Sequence, residues 1–290
     1  MTKSTILRRR LAGDEIIVLP GAYDALSAKL IEQAGFTQFF TTGFGLAAST
    51  LGEPDIGLLT QTETLDRARR IAHTVDIPLV ADMDTGYGNP INVIRTVREC
   101  VQAGIAGIIL EDQEWPKRCG HLEGKRVVPL EDHVQKLRAA VHARGDDDLV
   151  IIARTDARAV NGLDDAIARS HANVEAGADV VFIEAPRSLD ELRTVRSAFD
   201  PGVPLFANMI EDGVTPFLSA AELQDLGYMM VVYPLSGLFA ATAALQRTYA
   251  ALVAEGTTAA AGPMAGLEEF KDIIGVPAYG ELEREFVSAD

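Results

Sequence analysis

A chain of 290 residues, 48% hydrophobic and 23% charged, has the profile of a globular protein, and its length suits one α/β barrel or two smaller domains. A net charge of -16 argues against a general nucleic-acid or anionic-membrane surface, although local clusters of Arg and Lys still bind anionic substrates. The cysteines, Cys100 and Cys119, provide no disulfide framework and fit a reducing cytoplasm, and no apolar run approaches the length of a membrane span.

The opening stretch, MTKSTILRRRLAGDE, has consecutive arginines but no apolar signal core, and predicts a basic helix rather than a transit peptide. A pattern then repeats: a helical stretch ends in Gly, an apolar run follows, and polar residues close it. In chain order the runs are IIVLP, the run in EQAGFTQFFTTG, LVADMD, the run in VQAGIAGIILED, LVIIARTD, the run in VEAGADVVFIEAP, PLFANM and the run in QDLGYMMVVYP. Gly35, Gly104, Gly177 and Gly227 read as left-handed residues that stop helices. The runs are nearly continuous in Val, Ile, Leu and Phe, as parallel strands covered on both faces are.

Segments such as TETLDRARRIAHT and NVIRTVRECVQ are long enough for right-handed crossovers between these strands. Eight such units predict a (β/α)₈ barrel over residues 1–255, with a doubly wound open sheet as the alternative. The small-residue stretch TTAAAGPMAG leads into the amphipathic LEEFKDIIGVPAYGELEREF. Residues 256–290 are therefore expected to form a helical extension that packs on a neighbouring subunit.

A barrel gathers its chemistry at the C-terminal ends of its strands. Those ends supply Thr41 and Thr42, Asp82 and Asp84, Glu111 and Asp112, Arg154 and Asp156, then Glu184, Asn208 and Tyr233. Asp82 and Asp84, two apart along a strand, are expected to face the same way. With Glu111 and Glu184 near them, a hard cation relieves the repulsion, and all-oxygen ligation favours Mg²⁺ or Mn²⁺ over Zn²⁺.

The fourth strand is followed by EDQEWPKRCGHLEGKRVVP, too long for an ordinary connection. Gly120 and Gly124 let it bend. Lys117, Arg118, His121, Lys125 and Arg126 make it basic, and such neighbours lower the pKa of a thiol like Cys119. One Cys and one His are too few for a structural zinc site. Cys100 sits on a helix and is expected to pack. No lysine falls in a predicted strand, which argues against a Schiff base and for a metal-stabilised enolate. His73, His133, His142 and His171 fall on helices, where surface or cap roles are expected.

KRCGH on this loop, with ADMDTGYGN before it, resembles the isocitrate lyase and phosphoenolpyruvate mutase superfamily, and the likeness runs from PGAYDALSA to GELEREF. The Lys-basic-Cys-Gly-His pattern points to its carbon–carbon lyase branch, of the 2,3-dimethylmalate lyase and methylisocitrate lyase kind. The resemblance implies a barrel, Mg²⁺, a small-molecule carboxylate substrate, and homotetramers built from helix-swapped dimers. It also implies that the cysteine loop closes over the substrate.

By the same resemblance Thr42, Gly43 and Phe44 bind the carboxylate of an α-keto acid. Asp55, Asp82, Asp84 and Glu111 form the metal shell, with Asp84 as direct ligand. Arg154 holds substrate oxygens, with Asp82, Gly120, Glu184, Asn208 and Tyr233 as further site residues. Cys119 is the catalytic thiol, in one motif with Lys117 and His121. In YPLSGLFAAT, Phe239 stands where methylisocitrate lyases carry an arginine for a distal carboxylate. FIEAPRS and NMIEDG look more like the dimethylmalate lyase and oxaloacetate hydrolase relatives.

The reaction implied is cleavage of a 2-hydroxy di- or tricarboxylate, of 2-alkylmalate or 2-methylisocitrate type, to an α-keto acid such as pyruvate plus a carboxylate. A base, Glu184 or Tyr233, takes the hydroxyl proton and Cys119 protonates the released carbon. The alternative is hydrolysis or decarboxylation of oxaloacetate on the same scaffold. A phosphonate mutase has no need of the cysteine loop, and a non-catalytic metabolite-binding barrel would be expected to lose the thiol or the acids.

Overall fold

The computed structural model describes residues 1–120 and 122–287. Helix α1 (Lys3–Leu11) precedes β1 (Ile17–Ala22), α2 (Ala25–Gln33), β2 (Phe39–Thr41), α3 (Gly43–Leu51) and α4 (Gln61–Thr74). Then come β3 (Leu79–Asp82), α5 (Pro90–Gln102), β4 (Gly107–Glu111), α6 (Leu130–Arg144), β5 (Val150–Thr155), α7 (Ala157–Val160) and α8 (Leu163–Glu175). The remaining elements are β6 (Val180–Ile183), α9 (Leu189–Ser197), β7 (Leu205–Asn208), α10 (Ala220–Asp225), β8 (Met230–Tyr233), α11 (Ser236–Glu255), α12 (Leu267–Ile274) and α13 (Val276–Phe286).

Local chemistry sets where these helices begin and end. Asp24 with Ser27, Thr60 with Glu63, Asn89 with Asn92 and Ser219 with Glu222 pair reciprocally as capping boxes. Caps of this kind contribute about 1 kcal/mol each. After α5 the chain turns at Gly104, whose φ of +72° carries no Cβ penalty, and Gly35, Gly177 and Gly227 turn in the same left-handed region.

The strands pair in parallel from β1 to β8, and β8 closes on β1 with Ile17 opposite Met230 and Pro20 opposite Tyr233. The (β/α)₈ barrel expected from sequence is the fold, and closure excludes the open sheet. Side chains alternate between the two faces. Phe40, Val80, Ile109, Ile152, Phe182 and Phe206 fill the interior, while Phe39, Leu79, Ile108, Ile151, Val181 and Leu205 pack outward. Two residues further along five of these strands, the same inward parity delivers Asp82, Glu111, Arg154, Glu184 and Asn208 to the C-terminal mouth.

The opposite end is floored by α1. Leu7 is fully buried in the interior cluster, and its Cδ2 is 3.1 Å from where a Cβ on Gly107, the first residue of β4, would stand. Burying such a side chain stabilises by roughly 1.5–3 kcal/mol. The helix is tied down by Lys3, whose Nζ donates to the carbonyls of Ala72 (2.5 Å) and Val75 (2.6 Å), and by Arg8, paired with Asp179 at 3.0 Å.

By contact density the chain forms two compact units, Met1–Gly237 and a second beginning at Leu238. In the second unit Gly275, at φ +81°, separates α12 from α13. Neither of these helices buries a side chain, and Leu267 and Phe286 are more than 70% exposed. Among the described residues no helix is long and apolar enough to cross a membrane.

Candidate active site

β3 stops at Asp82, so strand alternation does not carry Asp84 into the site. Asp84 instead adopts a left-handed backbone, φ +49°, and its N–H donates to Asp82 Oδ1 at 3.1 Å. That local bond explains why an aspartate takes a conformation most side chains avoid. The expected convergence of the two acids holds, but for a different reason. Asp82 Oδ2 accepts the N–H of Gly43 at 3.3 Å, while Asp84 Oδ2 accepts the Tyr87 hydroxyl at 3.0 Å.

Lys117 comes down from the cysteine loop into this group. Its side chain is 3% exposed, and Nζ lies 2.6 Å from Asp55 Oδ1 and 2.7 Å from Asp84 Oδ1. Burial works against its charge, but Asp84, Asp55, Glu111 and Asp82 hold the ammonium well above the usual lysine range. Asp82 is raised, by burial first and by Asp84 second, against Lys117 and Arg154. Burial lifts Glu111 well above the carboxylate range despite Arg154 beside it.

Arg154 organises the other half. β4 and β5 align Glu111 with Arg154, and Arg154 Nε lies 3.4 Å from Glu111 Oε2. Its Nη1 is 3.6 Å from Glu184 Oε2, and its guanidinium stands 5.3 Å above the Phe182 ring. Asn208 Nδ2 donates to both oxygens of Glu184, at 3.1 and 3.3 Å. Glu111 Oε1 and Asn208 Oδ1 are buried without a hydrogen-bond partner. Acceptors left unsatisfied in a buried acidic cluster suit a cation or a bound ligand.

A cavity of about 500 Å³, open water included, occupies the mouth. Thr42, Phe44, Asp55, Asp82, Lys117, Cys119, Gly120, Arg154 and Asn208 line it, so one hollow gathers most of the residues anticipated from sequence. Gly43, Asp84, Glu111 and Glu184 stand directly behind the lining through the contacts given above. Cys119 is half-buried, and its N–H donates to the carbonyl of Asp55 at 3.0 Å. His121 lies outside the described residues.

Tyr233 is corrected. It ends β8 with outward parity, packs in the outer cluster, and donates its hydroxyl to the carbonyl of Leu218 at 2.9 Å, away from the cavity lining. Of the loop's basic residues, Lys117 and Lys125 are buried, with side chains 3% and 4% exposed. His133 is neither a cap nor a surface residue. It is 1% exposed with neither ring nitrogen hydrogen-bonded, and burial, with Lys136 and Arg169 close by, lowers its pKa to about 3. Cys100 packs as anticipated, fully buried, and burial pushes its thiol up.

Neither the contact of Tyr87 with Asp84 nor a role for Asp156 was legible in the sequence. DTGYG signals a turn but not which side chain it returns to Asp84. Asp156 continues the inward parity of β5, and that was the available signal.

A closed parallel barrel with acids, an arginine and a loop thiol gathered at its mouth defines a barrel enzyme. The chain belongs to the phosphoenolpyruvate mutase and isocitrate lyase superfamily: the family model for phosphoenolpyruvate phosphomutase matches residues 7–253. It is 44% identical to 2,3-dimethylmalate lyase of Eubacterium barkeri over 99% of both chains. It is 44% identical to the chloroplastic carboxyvinyl-carboxyphosphonate phosphorylmutase of Arabidopsis thaliana, over 97% of this chain and 84% of that one. Identity to 2-methylisocitrate lyase of Bacillus subtilis is 42%, over 86% of this chain and 81% of that one.

Among solved structures, a 2,3-dimethylmalate lyase matches with TM-score 0.95 at 37% identity, covering 100% of this chain and 97% of that one. An oxaloacetate acetylhydrolase in complex with 3,3-difluorooxalacetate matches at 0.93 and 36%, covering 98% and 97%. A phosphonopyruvate hydrolase complex with oxalate and Mg²⁺ matches at 0.88 and 33%, covering 99% of this chain and 100% of that one.

Proposed function

We propose that this protein is a Mg²⁺-dependent carbon–carbon lyase that cleaves a 2-alkylmalate-type 2-hydroxydicarboxylate to an α-keto acid such as pyruvate and a simple carboxylate. The observation that carries this reading is one cavity lined by Cys119, Lys117, Arg154 and Asp82. The names of the lyase relatives support it.

The residues present fit a divalent cation. The carboxylates of Asp55, Asp82, Asp84, Glu111, Asp156 and Glu184 outnumber the ammonium and guanidinium groups of Lys117, Lys125 and Arg154. Among the described residues no group of three or more His, Cys, Asp or Glu is arranged as a complete ligand set. Mg²⁺ needs no such set, because it keeps several waters and takes one or two protein carboxylates. Asp82 lines the cavity, whereas Asp84 is committed to Lys117 and Tyr87, so Asp82 is the better direct ligand, with Asp55, Asp84 and Glu111 around it. When bound, the cation supplies positive charge that polarises the substrate's 2-hydroxy carboxylate.

The rest belongs to the chain's own side chains. Thr42, Gly43 and Phe44, at the head of α3, receive the α-keto acid carboxylate, and Arg154 orients the substrate oxygens. A base takes the hydroxyl proton, C2–O becomes a carbonyl, the C2–C3 bond breaks, and its electron pair passes to C3 and the adjoining carboxylate. Cys119, in one motif with Lys117 and His121, then gives its proton to C3. With Tyr233 facing outward, Glu184 remains as the base candidate, held by Asn208 and Arg154.

Substrate size follows from charge. Lys117 and Arg154 are the cations among the described lining residues, and both already face carboxylates. A third substrate carboxylate buried unpaired costs several kcal/mol. Phe44, Ile210 and Leu235 offer apolar wall instead, which suits alkyl groups, and Phe239 stands in sequence where an arginine is absent.

The similarity to oxaloacetate acetylhydrolase favours hydrolysis of oxaloacetate as the second reading. Release of the 2-oxo acid, pyruvate from 2,3-dimethylmalate and 2-methylisocitrate and glyoxylate from isocitrate, each followed by reduction with lactate dehydrogenase, decides among substrates, with oxalate and acetate release from oxaloacetate followed in parallel. The expected result is the highest kcat/KM on the alkylmalate and none in EDTA. Turnover of oxaloacetate alone promotes the second reading, and full activity in EDTA overturns the metal.

We also propose that residues 1–255 act as the catalytic barrel of a cytoplasmic homotetramer, with residues 256–290 exchanged between paired subunits. The unburied apolar side chains of α12 and α13 support the exchange. Sedimentation of the full chain and of a version ending at residue 255 tests it: a tetramer should become a smaller species.

A further inference from the structure

Asp156, just beyond β5, is fully buried, and the chemistry proposed above gives it no part beyond its charge. Its carboxylate accepts Arg154 Nε at 2.9 Å and Nη2 at 3.1 Å, the two-point fork in which guanidinium and carboxylate orient one another. The oxygen that meets Nη2 also lies 3.4 Å from Lys125 Nζ. Lys125 sits on the returning limb of the cysteine loop, and its ammonium donates to the carbonyl of Gly120, the neighbour of Cys119. One buried anion thus stands between two cations, one in the barrel wall and one on the loop.

Gly120 lies flat on the mouth. A Cβ there would fall 2.6 Å from Arg154 Nη2 and 2.7 Å from Glu184 Cγ, so the loop reaches this position only without a side chain. Asp156 is fixed from behind as well. Asp112 accepts its backbone N–H at 2.9 Å, the Thr155 hydroxyl at 2.7 Å and Arg169 Nη1 at 3.2 Å. Arg169 also donates to the carbonyl of Val128 at 2.9 Å, where the loop rejoins the barrel.

We propose that Asp156 and Lys125 are positioning residues that couple the arginine to the loop. Asp156 sets the Arg154 guanidinium and, through Lys125, holds the Gly120 carbonyl and the Cys119 segment over the mouth. This rests on the reading of Arg154 as the arginine that meets the substrate. As substrate oxygens take up part of the guanidinium, the Asp156 carboxylate is left more fully to Lys125, and the loop is held more firmly.

The test uses the whole enzyme without substrate: the rate at which iodoacetamide labels Cys119, read by peptide mass at a pH high enough to ionise the thiol in every variant, with buried Cys100 as internal reference. Lys125→Met should label roughly tenfold faster or more, as expected when a charge-assisted hydrogen bond is lost. Because Asp156 keeps its two-point pair with Arg154 and is not left unpaired, the melting temperature should stay within about 2 °C of wild type, and Lys125→Arg should return labelling toward the wild-type rate. Asp156→Asn should raise labelling similarly and also raise KM more than it lowers kcat. The double variant should label no faster than the faster single, because both changes break one contact. Wild-type labelling in Lys125→Met, or multiplicative rates in the double variant, overturns the coupling. Should Asp156→Asn not fold, the Lys125 pair alone decides, and because labelling needs no turnover it does so whatever reaction the enzyme performs.

Discussion

Replacing Lys117 with methionine removes an ammonium and keeps most of the side-chain volume. In the native barrel that ammonium lies 2.6 Å from one carboxylate and 2.7 Å from another, with a side chain 3% exposed. Removing one member of a buried ion pair costs about 3–5 kcal/mol, because the partner is left charged and unsolvated. Here Asp55 and Asp84 are both left, with Asp82 bonded to Asp84, so the upper part of that range, about 4–5 kcal/mol, is expected. At about 2 °C per kcal/mol for a domain this large, melting in EDTA should fall by about 8–10 °C. Excess Mg²⁺ should then recover more in the variant than it adds to wild type, since a divalent cation replaces the missing charge among the same acids. Thermal melts by circular dichroism, with and without Mg²⁺, measure both effects. A variant melting within about 2 °C of wild type in EDTA refutes the reasoning, because the acids would then be shedding their charge by protonation.

Gly120→Ala should leave the melting temperature unchanged but lower kcat at least tenfold, since the new methyl group meets Arg154 and Glu184; normal kcat would show that the loop does not work from this position. His133 is neutral in the fold, with a pKa of about 3 against about 6.5 unfolded, so its contribution is full above pH 6.5 and is lost as pH falls from there toward 3. Between pH 7 and 5 wild type should lose about 2 kcal/mol more stability than His133→Leu, measured from urea midpoints, and parallel losses would contradict the assignment. Cys119→Ala should lower turnover by about 10²-fold or more with little change in stability, and near-full activity would remove the thiol from the reaction.

The strands were legible because parallel strands covered on both faces announce themselves as apolar runs, and the helix ends because a left-handed turn selects glycine. The mouth residues were legible wherever strand parity runs unbroken, as from Ile109 to Glu111 and from Ile152 to Arg154. Parity failed where the strand ended. Asp84 reaches Lys117 through a left-handed turn, and the polar end of β8 faced outward because Tyr233 sits one residue out of step with Val232. Burial of loop cations was beyond sequence altogether. KRCGHLEGKR reads as a solvated basic stretch until the acids that receive Lys117 and Lys125 are known to lie beneath it. His133 is a similar case, because the face a helical residue presents depends on its neighbours in space.

Leu7, at the floor, bears on traffic. Among the described residues the barrel is packed through its middle and stoppered below, so whatever the reaction makes should leave by the way the reactant came. Of two fragments formed there, the deeper cannot depart until the outer one has gone. Departure should therefore be ordered. The last fragment to leave should compete with fresh reactant for the empty enzyme, while the first should inhibit without competing. Steady-state inhibition patterns would thus carry the imprint of α1, a helix at the far end of the barrel from the chemistry.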